Sequence, residues 1–124
     1  MTRRAVATAQ EALAEFGQPA QVAGSVAPLE DCYRPDLVPT DDECRAEHSE
    51  RIHHLVEVGV DLLLIETMNS IREAVIAAKL ATITGRPTLV SFVCDREGRI
   101  LSGEPVAVAG ALLLPLGVKA LGGN

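Results

Sequence analysis

Along the chain, short continuous runs of apolar residues alternate with longer stretches where apolar residues recur every three or four positions. Residues 3–16 carry the helical pattern and stop at Gly17, which suits the left-handed turn after a helix. Residues 21–27 form a short apolar run closed by Pro28, and a polar connection follows over 29–39. Thr40 with Glu43 makes a T-x-x-E capping pattern that opens a second helix, with Ile52, Leu55, Val56 and Gly59 on one face and His48 a turn earlier. Residues 60–65 are the second buried strand, ending where Glu66 and Thr67 begin. Ser70 with Glu73 repeats the capping pattern and opens a third helix to about Thr84, with Ile71, Ala74, Val75, Ala78 and Ala81 or Thr82 inward. Residues 88–93 form a third strand rich in β-branched residues. After the polar turn at 95–98 come a weak helix over 106–116 and a fourth strand from Val118 to Leu121, before the chain ends at Asn124.

Strands that alternate with helices at this spacing are built from βαβ units. Runs without in-out alternation predict a parallel sheet covered on both faces. The fold class expected is α/β, about four parallel strands alternating with helices. Periodicity alone leaves an open doubly wound sheet and a closed barrel both standing. No GxGxxG turn marks a dinucleotide fold. A complete eight-stranded barrel takes about 250 residues, and the chain has 124.

Composition narrows the partners. Only Phe16, Tyr33 and Phe92 are aromatic, so the core must be aliphatic and stacking platforms for bases are lacking. A net charge of −6 with scattered basic residues argues against nucleic acid. The opening residues have two arginines but no long apolar stretch or cleavage signal, and the oily stretch 106–118 is broken by Gly110 and Pro115. It is also shorter than the ~20 residues of a membrane span. A cytoplasmic protein with no membrane partner is expected. Cys32, Cys44 and Cys94 are odd in number and widely spaced, without a CxxC or HxxxH pair, so free thiols are expected over a metal site.

In a parallel α/β sheet, chemistry gathers at the carboxyl ends of the strands. Four clusters qualify: residues 24–28, Glu66 with Thr67, residues 91–95, and residues 122–124. A carboxylate directly after four apolar residues, Leu62 to Ile65, needs a cation, donors or a ligand ammonium. Glu66 is therefore either an anchor for a positively charged substrate group or a partner in a structural ion pair. Thr67 helps begin the loop. Gly24 and Ser25 imply close approach to the backbone, by a ligand or by a packed helix. Ser91 has no paired His and Asp, so its hydroxyl is expected to face the sheet interior. Adjacent His53 and His54 cannot share a helix face, and His48 is expected to pack. The acidic run 41–43 complements the helix dipole.

The segments VAGSVAP, VGVDLLLIETMNSIREA, PTLVSFVCDREGRILSGE and GVKALGGN, in this order and spacing, resemble the homocysteine-binding domain of homocysteine S-methyltransferases across nearly the whole chain. The likeness is greatest to the S-methylmethionine-dependent type, through the SF…D…G…LS-G segment. The resemblance implies a (β/α)8 barrel in which zinc, held by three cysteines at the carboxyl face, binds the homocysteine sulfur. Zinc stabilises the thiolate, the nucleophilic form that attacks the methyl donor.

By the same resemblance Glu66 corresponds to the strand-end glutamate that binds the substrate amino group. Ser25, Thr67 and Ser91 fall at pocket-lining positions, and Asn124 on the asparagine before the first zinc cysteine. Gly123 stands where Val or Ile is usual, and Ala27 replaces the glycine of GSVGP. The opening strand with its D-G-G motif, the strand after it, and all three zinc cysteines have no counterpart, and Cys32, Cys44 and Cys94 match none of the zinc positions. Residues 1–124 are thus expected to form one partial homocysteine-binding barrel domain. It would have the lineage of methyl transfer from a sulfonium-type donor to homocysteine, no cofactor of its own, and no turnover alone. Alternatives are a non-catalytic assembly module that self-associates through exposed strand edges, a truncated reading frame, and an aldolase-like barrel. The last lacks a strand-end lysine, because Lys79 lies mid-helix and Lys119 in the last strand.

Overall fold

A computed structural model describes residues 2–124. The elements run α1 (Thr2–Phe16), β1 (Ala23–Val26), α2 (Asp41–Glu57), β2 (Leu62–Met68), α3 (Ile71–Ile83), β3 (Thr88–Phe92), α4 (Val106–Leu113) and β4 (Ala120–Gly123), with 3₁₀ turns at Pro35–Leu37 and Leu114–Leu116. The strands form one sheet in the order β1-β2-β3-β4, every pairing parallel. The helices lie side by side over it, α1 on α2, α2 on α3 and α3 on α4.

Two boundaries in the last thirty residues differ from the sequence pattern. Pro115 has no N–H to continue the α-helix, so the last helix tightens into the 3₁₀ turn and Gly117 reverses the chain at φ +94°. The fourth strand consequently starts at Ala120, two residues late, and takes in Gly122 and Gly123, while Lys119 precedes it.

The sheet is covered on one face only, contrary to the expectation of two. Gly24, Val26, Leu63, Ile65, Val90 and Phe92 are buried against the helices. Their neighbours Ala23, Ser25, Leu62, Leu64, Leu89 and Ser91, on the opposite face, are exposed or half-buried. The strand sequences concealed this because leucine occupies both faces of β2. In a closed barrel such a second face is the interior, filled by the other strands.

The covered face is close-packed. A Cβ on Gly24 would stand 3.1 Å from Leu55 and 3.2 Å from Val60, so a larger residue there would push these side chains aside by a few tenths of an ångström. The core also holds a carboxylate. Both bonds of the Thr40–Glu43 capping box form, but at α3 only the Ser70 half does, accepting from the Glu73 amide. The Glu73 side chain turns inward instead and is 1% exposed. Its Oε1 accepts from the Leu29 amide at 2.9 Å and lies 2.8 Å from Nε2 of His48, which is fully buried. Nε2 is the ring nitrogen that faces the carboxylate, while His48 Nδ1 and Glu73 Oε2 have no partner. This contact joins α2, α3 and the loop after β1. His53 and His54 are exposed.

Two substitutions test this packing by urea denaturation. Glu73→Ala strands the Leu29 amide and the imidazole and is expected to cost about 3 kcal/mol. Gly24→Ala is expected to cost about 1–3 kcal/mol through overpacking against Leu55 and Val60. Losses below about 0.5 kcal/mol, typical of surface positions, would contradict the account.

Candidate functional site

The carboxyl ends of the strands bring the sequence-derived residues together unequally. Ser25 on β1 and Glu66 on β2 share the uncovered face, and the Ser25 hydroxyl donates to Glu66 Oε1 at 2.6 Å. Glu66 forms no ion pair among the described residues, which leaves its second oxygen and its charge directed to the uncovered side. Ser91 on β3 belongs to the same face, half-buried and opposite Gly122, and no hydrogen bond joins it to Glu66. A Cβ at Gly122 would stand in ordinary contact with that of Ser91, at 3.5 Å.

Glu66 and Thr67 do not follow the strand, as the pattern suggested. They sit inside it, because β2 continues to Met68 through a bulge. Ile65 pairs with Val90 and Met68 with Phe92, so two residues of β2 face one of β3. Thr67 absorbs the extra residue at φ +58°, the only positive φ outside glycine among the described residues. A β-branched residue there is strained, and such strain gathers at functional sites. The bulge aims Glu66 towards Ser25 and returns Met68 to the core, where it is fully buried.

Three loops are then tied behind the bulge. Asn69, 1% exposed, donates through Nδ2 to the carbonyls of Asp31 and Cys32 in the loop after β1, and its backbone carbonyl accepts from the Ser102 amide in the loop after β3. Glu104 from that same loop accepts from the Ile71 amide at 3.0 Å and from Ser102 Oγ at 2.6 Å. Sequence reasoning missed Asn69, Glu73 and Glu104. The first has no local signal, the second is disguised as a cap, and the third lies in an irregular loop.

Asn124 is exposed, and its backbone extends the pairing of β4 with β3: its amide donates to Phe92 and its carbonyl accepts from Cys94. The Cys94 thiol fills the space beside Gly123, where a Cβ would come within 3.3 Å of the sulfur. A Val or Ile at that position would press on the thiol, which accounts for the glycine.

The zinc implied by the sequence resemblance requires three or four nitrogen or sulfur ligands converging on one point. Among the described residues no three His, Cys, Asp or Glu side chains converge in this way. The three cysteines are free, and burial, with the Glu73 carboxylate nearby, raises the Cys44 thiol above its usual range. These residues do not fit zinc. No helix among the described residues is long and apolar enough to cross a membrane.

Comparison with known proteins agrees on a lineage. The chain matches the homocysteine S-methyltransferase family over residues 1–124. It is similar to the homocysteine methyltransferase MmuM from Escherichia coli. In its metallated form the identity is 32% and the TM-score 0.83, over 95% of this chain and 45% of that one. In its oxidized form the identity is 35% and the TM-score 0.81, over 95% and 44%. The carboxyl transferase domain of Rhizobium etli pyruvate carboxylase, 16% identical at a TM-score of 0.58 over 92% of this chain and 18% of that one, shares the fold alone. No curated protein sequence matches. The chain spans under half the length of the methyltransferase structures it resembles.

The strain at Thr67 is measurable. Thr67→Gly relieves a left-handed β-branched residue worth about 1–3 kcal/mol, against the roughly 0.5–1 kcal/mol that glycine ordinarily loses in a strand. The variant is expected to unfold at a urea concentration equal to or above that of the unaltered protein. A loss of more than about 1 kcal/mol, as for an ordinary strand residue, would contradict the strained bulge.

Proposed function

Since the chain belongs to the homocysteine S-methyltransferase family, we propose that its uncovered sheet face carries the amino-acid end of a homocysteine pocket, in an enzyme that transfers a methyl group from a sulfonium-type donor to the homocysteine thiol. The observation behind this reading is the Glu66 carboxylate, fixed by Ser25 at 2.6 Å and otherwise free at the carboxyl end of a parallel sheet. A carboxylate pre-oriented by one donor keeps acceptor capacity for an ammonium group, and a charge-assisted hydrogen bond is about twice as strong as a neutral one. Ser91 and Thr67 line the same mouth, and Asn124 bounds it at the tip of β4.

Methyl transfer requires the sulfur as a thiolate. Its lone pair forms the new S–CH₃ bond while the donor's C–S bond breaks, and that electron pair stays on the donor sulfur as a neutral thioether. The thiol proton must leave beforehand. Among the described residues nothing at the mouth lowers a thiol's affinity for its proton, since Glu66 is itself an anion. The role assigned to residues 1–124, as a single partial barrel domain, is therefore to bind and orient the amino acid. Thiolate activation falls to groups outside them. Free thiols at Cys32, Cys44 and Cys94 suit the reducing cytoplasm.

Calorimetric titration with homocysteine tests this. Glu66→Gln is expected to weaken binding about 10- to 100-fold, the range for losing a charge-assisted hydrogen bond at a partly buried site. Equal affinity of the variant, or no binding by the unaltered protein, would overturn the assignment. The protein supplied with zinc and a methylsulfonium donor is expected to form no methionine. Stoichiometric zinc with turnover would contradict the division of roles.

A further inference from the structure

The end of β1 is held on β2 by very little backbone pairing. The ladder between the two strands runs from Ala23–Leu62 to Val26–Ile65 and stops there. Two residues further on, Pro28 has no N–H to give, and the next amide, that of Leu29, donates to Oε1 of Glu73 at 2.9 Å. Ser25 lies within this short span, and its hydroxyl meets Glu66 at 2.6 Å on the uncovered face. Two carboxylates of the segment from β2 into α3 thus grip the same few residues, one from each face of the sheet.

We propose that Glu73 is a positioning residue for the substrate-binding carboxylate: acting through the Leu29 amide, it fixes the end of β1 so that Ser25 stands against Glu66. The substrate role of Glu66 rests on the homocysteine reading above, whereas the clamp on β1 does not. Its contacts are all made among residues 25–104, and none depends on a free edge of the sheet.

The partner that Glu73 takes singles it out. At the start of α2, Glu43 in the equivalent position folds back onto the Thr40 amide, the local bond that a capping box favours. Glu73 gives up that bond, although Ser70 makes its own half. The start of α3 is served instead from the loop after β3, where Glu104 accepts from the Ile71 amide at 3.0 Å. Glu73 is thereby released to reach 44 residues back along the chain.

Burial points the same way. Glu73 is 1% exposed, and Nε2 of the fully buried His48 lies 2.8 Å from the oxygen that Leu29 uses. That oxygen is confined by two partners from two other segments, and it cannot shift far without losing one. A buried charged contact adds little net stability over apolar packing, and its best-attested use is to fix one register. The register fixed here is that of a four-residue strand whose end carries the site.

Calorimetric titration with homocysteine, with backbone amide NMR and urea denaturation of each variant, tests the proposal. Glu73→Leu keeps most of the side-chain volume and removes the acceptor. It is expected to weaken homocysteine about 3- to 10-fold, the range of one hydrogen bond. Glu73→Gln retains an acceptor for Leu29 and is expected to retain the affinity of the unaltered protein. Ser25→Ala is expected to cause a loss like that of Glu73→Leu, and the double variant no further one, because both act through the same contact. Leu113→Val, at a fully buried position in α4, is expected to lower the urea midpoint without altering affinity. Additive losses in the double variant, no rescue by Glu73→Gln, or an equal loss from Leu113→Val would overturn the proposal. Where Glu73→Leu does not fold, Glu73→Asp decides, since it keeps the charge but withdraws the acceptor from Leu29. Weakened binding is expected of it, and full affinity would overturn the proposal. If the unaltered protein binds no homocysteine, the pocket reading fails and the amide signals of the free protein decide the clamp. Those of Ser25 and Glu66 are expected to move in Glu73→Leu, or in Glu73→Asp, and to stay in place in Glu73→Gln. Signals that neither of the first two variants moves would overturn it.

Discussion

Everything at the mouth of this sheet depends on the two-residue alternation of a strand with one covered face. Once Val26, Ile65, Val90 and Phe92 are committed to the helices, Ser25, Leu64, Leu89 and Ser91 have no other side to occupy. Burying a large aliphatic or aromatic side chain is worth about 1.5–3 kcal/mol, so slipping one strand by a residue would forfeit several such terms at once. That sum holds the Ser25–Glu66 contact in place. The contact itself, half in solvent, contributes little to stability.

The bulge in β2 shows the same constraint under tension. An extra residue between Ile65 and Met68 would put Met68 on the wrong face unless the backbone compensated. It does so at Thr67, in a region that threonine seldom enters. The compensation is stable because the next residues are fastened. Asn69 holds the loop after β1 and accepts from the loop after β3, and Glu73 reaches back to Leu29 and His48. The binding role proposed for Glu66 would gain from such rigid support, since a site loose by about 1 Å loses most of its advantage.

Much of this was legible in the residues. The helix starts at Thr40 and Ser70, the four apolar runs and the position of Glu66 after four apolar residues were enough to place strands, helices and the carboxyl ends of the strands. The motifs VAGSVAP and LLLIETMNSIREA supplied the lineage. What the pattern hid has physical causes. Leucine at residues 62–64 erased the alternation that separates a covered face from an open one. Glu73 satisfied a capping rule on paper, yet burial beside His48 and the Leu29 amide drew its side chain away. The left-handed Thr67 had no local signature, because the bulge is imposed by pairing with β3. Asn69 acts only through loops more than thirty residues away in sequence.

The fold therefore presents an oriented carboxylate on the uncovered sheet face, in a chain that belongs to the homocysteine S-methyltransferase family. Backbone amide NMR during titration with homocysteine, and separately with the same thiol acid lacking its amino group, tests this placement most directly. The account predicts shifts concentrated at Ser25, Glu66, Thr67 and Ser91 with homocysteine and their loss with the des-amino compound. Shifts spread over the outer surfaces of α2 and α3, or an equal response to both compounds, would contradict it.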